Sequence, residues 1–315
     1  MQYDDFRRSA DIEDRRDDSG GGGLGGGGLG LPIGGGGGLG IGTLIVLGLV
    51  GYAFGIDPRI LIGGAEILNG GGGQAPSYQS DRSSATAKNG VPTDQMGDMI
   101  SGILGEIDDR WSEIFQASGL TYTGPRIVLF RNATNGGRCG MAQSAMGPFY
   151  CPPDQKIFLD TGFFREVETR FRGCSGNACK FTAAYIIAHE AGHHIQNLLG
   201  ILPKVTAQQQ QLRAEGDKAA ANALQVKVEL QADCLSGVWV NREEKKRPGF
   251  LEAGDIDAAL TTASAIGDDT LQRQATGRVV PDSFTHGSAA QRKQWFMTGY
   301  QNGTVQSCNT FGGGG

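Results

Sequence analysis

The residues best suited to chemistry are His189-Glu190-Ala191-Gly192-His193, inside the apolar run AAYIIAHEAGHHIQNLL. That run predicts a helix. On a helix, residues four apart stand one turn above each other on the same face. Two imidazoles at that spacing reach a single Zn²⁺ at about 2.0–2.1 Å each. Glu190 is offset by one residue, so it lies beside the metal and can act as base for a water there.

A catalytic zinc needs a third protein ligand and an open position for water. The extended pattern with a further glycine and histidine fails, because Gln196 and Leu199 stand at those places. The ligand must therefore come from another element. Glu229-Leu230-Gln231-Ala232-Asp233 offers two carboxylates four apart in a largely apolar segment. Glu229 can bind the metal, and Asp233 can accept the free N–H of a ligand histidine and set its tautomer. His194 points elsewhere on its helix and reads as a packing or hydrogen-bonding residue. His286, the one histidine outside that helix, sits in a loop ahead of Arg292. Peptide hydrolysis builds negative charge on a tetrahedral oxygen, and His286 is the candidate donor to it. Arg292 is a candidate anchor for substrate or for the site.

Around these residues the periodicity predicts a helix over 98–117, through Met99, Ile103, Ile107, Trp111, Ile114 and Phe115. Strands are expected at 126–130 (RIVLF) and 156–160 (KIFLD). Helices are expected over 181–199, over most of 205–246, over 255–274 with Asp255 as cap, and over 288–300. Helices dominate, and the folded domain is expected to span 92–315.

The first third of the chain has a different composition. Of 53 glycines, many fall in the first 75 residues. Residues 1–18 are dense in Asp and Arg and are expected to be disordered, with a glycine-rich tail continuing to residue 38. Residues 39–56 carry no charge and read as one transmembrane helix. Gly51 and Gly55 offer a small-residue contact for a homo-oligomer. Residues 57–91 read as a flexible stalk. Six cysteines, all after the apolar run, suit disulfides in an oxidising compartment and an orientation with the C-terminal domain outside. Six allow about 15 pairings; pairing of neighbours would give Cys139–Cys151, Cys174–Cys179 and Cys234–Cys308. The expected location is thus a bacterial inner membrane, single-pass, with a periplasmic catalytic domain. The net charge of -5 argues against a nucleic-acid partner.

The segments HEAGHHIQN, ELQADCLSGVW, THGSAAQRKQWF and RCGMAQSAMGPFYCPPDQKIFLD together resemble the bacterial family of putative neutral zinc metallopeptidases. So does the glycine-rich N-terminus with one span. The resemblance covers most of 92–310. It implies a zincin-like, helix-dominated α+β domain with a small sheet. It also implies a gluzincin-like site in which His189, His193 and Glu229 bind zinc and Glu190 is the general base. The Thr-His pair followed six residues later by Arg is similar to membrane-bound prenyl-protein-type metallopeptidases, which have their loop histidine near the substrate. The expected function is zinc-dependent peptide hydrolysis on a peptide or protein substrate. The rival is a membrane-anchored binding or scaffolding protein, with a structural zinc closed by Cys234 or with an inactive protease-like domain.

Overall fold

The computed structural model describes residues 1–18, 87–169, 174, 176 and 178–312. Among these, a mixed five-stranded sheet packs on one side against helices. It is built from β1 (Ile12–Asp14), β2 (Lys88–Asn89), β3 (Arg126–Phe130), β6 (Phe149–Cys151) and β7 (Lys156–Asp160), in the order β2-β1-β3-β7-β6. Strands β1, β3 and β7 are parallel, and β2 and β6 are antiparallel edges. A separate hairpin pairs β4 (Ala133–Asn135) with β5 (Met141–Gln143).

RIVLF and KIFLD are continuous apolar runs because both faces of the central strands are covered. The register aligns Ile12 with Ile127, Ile127 with Ile157, and Leu129 with Leu159. These residues face the helices and join the main core with Trp111, Phe181, Tyr185 and Trp239. Val128, Phe130 and Phe158 face the other way, into a smaller core with Ala142 and Cys151. The Cys139–Cys151 disulfide ties that second layer to strand β6.

The helices are α1 (Gln95–Ala117), α2 (Gly162–Thr169), α3 (Ala178–Leu198), α4 (Ile201–Ala214), α5 (Lys218–Lys246), α6 (Asp255–Ala265), α7 (Asp268–Thr276) and α8 (Ala289–Asn302). The helix expected over 205–246 is two, interrupted at 215–217, where the Asp217 side chain accepts from Ala220 N–H and caps α5. The helix expected over 255–274 is also two. Gly254, not Asp255, occupies the cap position of α6. The disulfides are Cys139–Cys151, Cys174–Cys179 and Cys234–Cys308, the neighbour pairing.

Residues 1–18 are not a disordered tail. Met1, Tyr3, Phe6 and Ile12 are buried, and β1 lies between β2 and β3 in the sheet. The charges that suggested disorder find partners on helix α1 and on its capping residue Asp94. Arg7 pairs with Asp109, Arg8 with Asp98 and Arg16 with Asp94, at 2.5–2.8 Å. Arg7 N–H donates to the buried Glu106 carboxylate, and Ser9 N–H to Ser101 C=O. A charge count treats each of these groups as a cost, whereas in the fold each one meets a counter-charge.

This arrangement also corrects the single-pass inner-membrane placement. Among the described residues no helix is long and apolar enough to cross a membrane. Strands β1 and β2, on either side of residues 19–86, are hydrogen-bonded neighbours in one sheet. The two flanks therefore belong to one folded body, where a single crossing needs them on opposite faces of a bilayer. The span at 39–56 and most of the stalk lie outside the described residues.

Candidate active site

Two helices build the site. On α3, His189 and His193 lie one turn apart; on α5, so do Glu229 and Asp233. The helices approach closely because Gly192 sits between the histidines. A Cβ there would lie 3.0 Å from Ala232 C=O and 3.1 Å from Ala232 Cα. Any larger side chain would push the two pairs of ligand candidates apart.

His189 Nε2 lies 3.2 Å from Glu229 Oε2, and His193 Nε2 lies 3.5 Å from the same oxygen. One ligand atom from each of the three residues falls within a 4.8 Å group, enough to hold a metal ion. Tetrahedral bonds of 2.0–2.1 Å place neighbouring ligand atoms roughly 3.3–3.4 Å apart. The chemistry of the donor set fits as well. His189 Nδ1 lies 2.9 Å from Asp233 Oδ1, and His193 Nδ1 lies 2.9 Å from Gln196 Oε1. Each Nδ1 thus faces an acceptor oxygen, which leaves both Nε2 atoms directed at the Glu229 carboxylate as candidate metal ligands. Three electron-rich atoms converging in a buried space call for a cation among them.

The electrostatics agree. Burial opposes charge at every one of these groups. Even so, Asp233 and Glu229 push the His189 ring up to about 10. Glu229 raises the His193 ring too, and both rings hold the Glu229 carboxyl well below the usual carboxylate range. Burial pushes the Glu190 carboxyl up. The site therefore favours positive charge between its histidines and Glu229, and a high proton affinity at Glu190.

Further side chains hold the ligands. Asp233 accepts from Tyr185 O–H at 2.6 Å and from Arg292 Nε and Nη2 at 2.8 and 2.9 Å, so Arg292 anchors the site from α8. Gln225 donates to Glu229 Oε1 at 2.8 Å. His194 is a strut, between Tyr150 O–H on β6 and Thr123 C=O. His286 lies in the loop before α8. Asp268 accepts the backbone N–H groups of Thr285, His286 and Gly287, and its Oδ1 lies 3.2 Å from His286 Nδ1. Burial opposes the charge on this ring, yet Asp268 and Glu229 raise it above its usual range. Cys234 is buried in its disulfide with Cys308 and is no thiolate ligand.

Sequence reasoning missed Tyr185, Gln196, Gln225, Gln231 and Asp268. Three of them carried a local signal. Tyr185 stands four residues before His189, Gln196 three after His193, and Gln225 four before Glu229, all helical neighbours. Gln231 and Asp268 act on groups remote in sequence, and nothing local marks them.

Over 312 residues the chain is 42% identical to the Escherichia coli K12 protein YpfJ, described as uncharacterized, covering 99% of each. It is 44% identical over 213 residues to the uncharacterized protein Rv2575 of Mycobacterium tuberculosis H37Rv, covering 65% of this chain and 67% of that one. No solved structure matches it. A family model described as "Putative neutral zinc metallopeptidase" matches residues 1–311, and the chain belongs to that family.

Proposed function

We propose that this protein is a zinc-dependent metallopeptidase with a gluzincin-like site in a zincin-like domain. His189, His193 and Glu229 would hold the metal, and Asp233 orients His189. The observation that carries this reading is the convergence of one ligand atom each from His189, His193 and Glu229 into a single group. Zinc bound there would supply the positive charge that polarises a water and the scissile carbonyl.

The remaining steps belong to the chain's own residues. Glu190, on the helix beside both histidines, takes the proton from the attacking water and passes it to the leaving amine. The raised proton affinity of its buried carboxyl suits that shuttle. His286, whose ring Asp268 and Glu229 raise above its usual range, donates to the oxygen on which negative charge develops. The structural-zinc alternative loses its fourth ligand, because Cys234 is committed to a disulfide.

The test is zinc content and peptide hydrolysis of the full chain, wild type beside Glu190→Gln. One zinc per chain in both, with cleavage only in the wild type, supports the reading. Undiminished cleavage by Glu190→Gln removes the assignment of the base, and absence of bound zinc removes the whole reading.

A further inference from the structure

Gln196 and Gln231 are buried amides that take no part in the proton transfers above. They form a continuous chain of hydrogen bonds. Gln231 Nε2 donates to Cys308 C=O at 2.9 Å, and Gln196 Nε2 donates to Gln231 Oε1 at 3.0 Å and to Val228 C=O at 2.8 Å. Gln196 Oε1 is left to face His193 Nδ1 at 2.9 Å. The polarity of this chain does not rest on a choice of amide orientation. Backbone carbonyls only accept, and they stand at both Cys308 and Val228, so each glutamine must present its NH₂ there. Turning either amide over would set oxygen against oxygen in a buried space and leave polar groups unsatisfied.

We propose that Gln196 is a positioning residue. As the end of a relay anchored on the Cys308 carbonyl, it holds the proton on His193 Nδ1 and so presents Nε2 as a metal ligand. The proposal rests on the metallopeptidase reading for its purpose, though not for its geometry. The two histidines are thus oriented by different means. His189 leans on a carboxylate compensated by Arg292, and His193 leans on a neutral amide. A neutral acceptor orients the ring without adding negative charge to a site that already contains Glu229, Asp233 and Glu190. The relay begins beside the Cys234–Cys308 disulfide, which joins α5 to the C-terminal turn. The register of that turn is thereby passed to a ligand on α3.

The test compares Gln196→Glu with Gln196→Met. Both lose the donors to Val228 and Gln231, so both should lower the Tm of the metal-free protein. Only Gln196→Met loses the acceptor for His193. The first readout is the ring Nδ1–H proton of His193 by NMR. It should be protected from exchange in the wild type and in Gln196→Glu, and lost in Gln196→Met. The second is zinc affinity by chelator competition, expected to fall 10–100-fold in Gln196→Met and to stay within about threefold of wild type in Gln196→Glu. Persistence of the protected proton in Gln196→Met overturns the proposal, as does an equal loss of affinity in both variants. Should neither variant fold, the wild-type proton decides: its presence supports the relay and its absence overturns it. Should the wild type take up no zinc, the metallopeptidase reading fails, while the proton still decides the relay.

Discussion

At the scale of single residues, the site depends on polar groups whose partners are as buried as they are. Asp233 is the clearest case, with full burial and four hydrogen bonds from Tyr185, His189 and Arg292. Asp233→Asn keeps the shape but leaves the Arg292 guanidinium buried without a counter-charge. Zinc affinity is expected to fall about 10–100-fold and stability by about 3–5 kcal/mol. Chelator competition and denaturant unfolding read the two effects, and unchanged values in both would remove Asp233 from the site. Asp108 makes a different prediction. Burial pushes its carboxyl up to about 7, against the pull of the Tyr122 hydroxyl, which donates to it at 2.9 Å. A carboxyl raised in the folded state binds its proton more tightly there than in the unfolded chain, where its pKa is about 3.9. Its contribution to stability is therefore complete below about pH 4 and is lost as pH rises through about 7. Asp108→Asn should be more stable than wild type at pH 8 by about 1–3 kcal/mol, and near wild type only at about pH 4 and below. Equal stability at pH 8 would mean that Asp108 ionises freely.

At the scale of elements, close helix packing places the candidate ligands. Gly192 lets α3 meet α5 where His189 and His193 face Glu229 and Asp233. Gly299 does the same for α8 against α5, since a Cβ there would lie 1.8 Å from Cys234 C=O. That contact delivers Arg292 to Asp233. Gly299→Ala is expected to cost about 1–3 kcal/mol through overpacking. It should also weaken zinc binding, because α8 cannot shift without moving Arg292. A variant with wild-type Tm and zinc affinity would show that the contact gives way easily. Most of these elements were legible in the sequence. Strands β3 and β7 match their apolar runs at 126–130 and 156–160, and α1 and α3 follow the expected periodicity. The splits at 215–217 and near Gly267 are marked in the sequence only by a single glycine each, Gly216 ahead of the capping Asp217 and Gly267 ahead of Asp268. Strands β1, β2, β4, β5 and β6 are two or three residues long, too short to show a period.

At the scale of the whole molecule, the N-terminal eighteen residues are part of the domain that carries the site. Ile12 is fully buried in β1, between β2 and β3. Ile12→Ala is expected to lower the stability of the entire domain by about 2–5 kcal/mol, read as a shift in the denaturant midpoint with its slope unchanged. A silent substitution would mean that the segment is not part of the cooperative fold. The core of the fold is thus assembled from two stretches of chain separated by residues 19–86.

The amino-acid sequence by itself pointed to the candidate donors. His189, Glu190, His193, Glu229 and Asp233 are spaced by one helical turn or one residue, and helical geometry turns such spacings into shared faces without reference to the rest of the fold. The cysteine pairing was not determined by it: six cysteines allow about 15 pairings, and Cys234–Cys308 closes a loop of 74 residues. Only the tertiary structure decided the rest. It showed that Asp233 is held by Arg292, 59 residues away, and that Gln196 is tied through Gln231 to Cys308, 77 residues beyond Gln231. It also showed that a charge-dense N-terminus is a structural strand. Local composition registers a charged or polar group as a preference for water, and its behaviour in the fold is set by which partner long-range packing brings within hydrogen-bond reach.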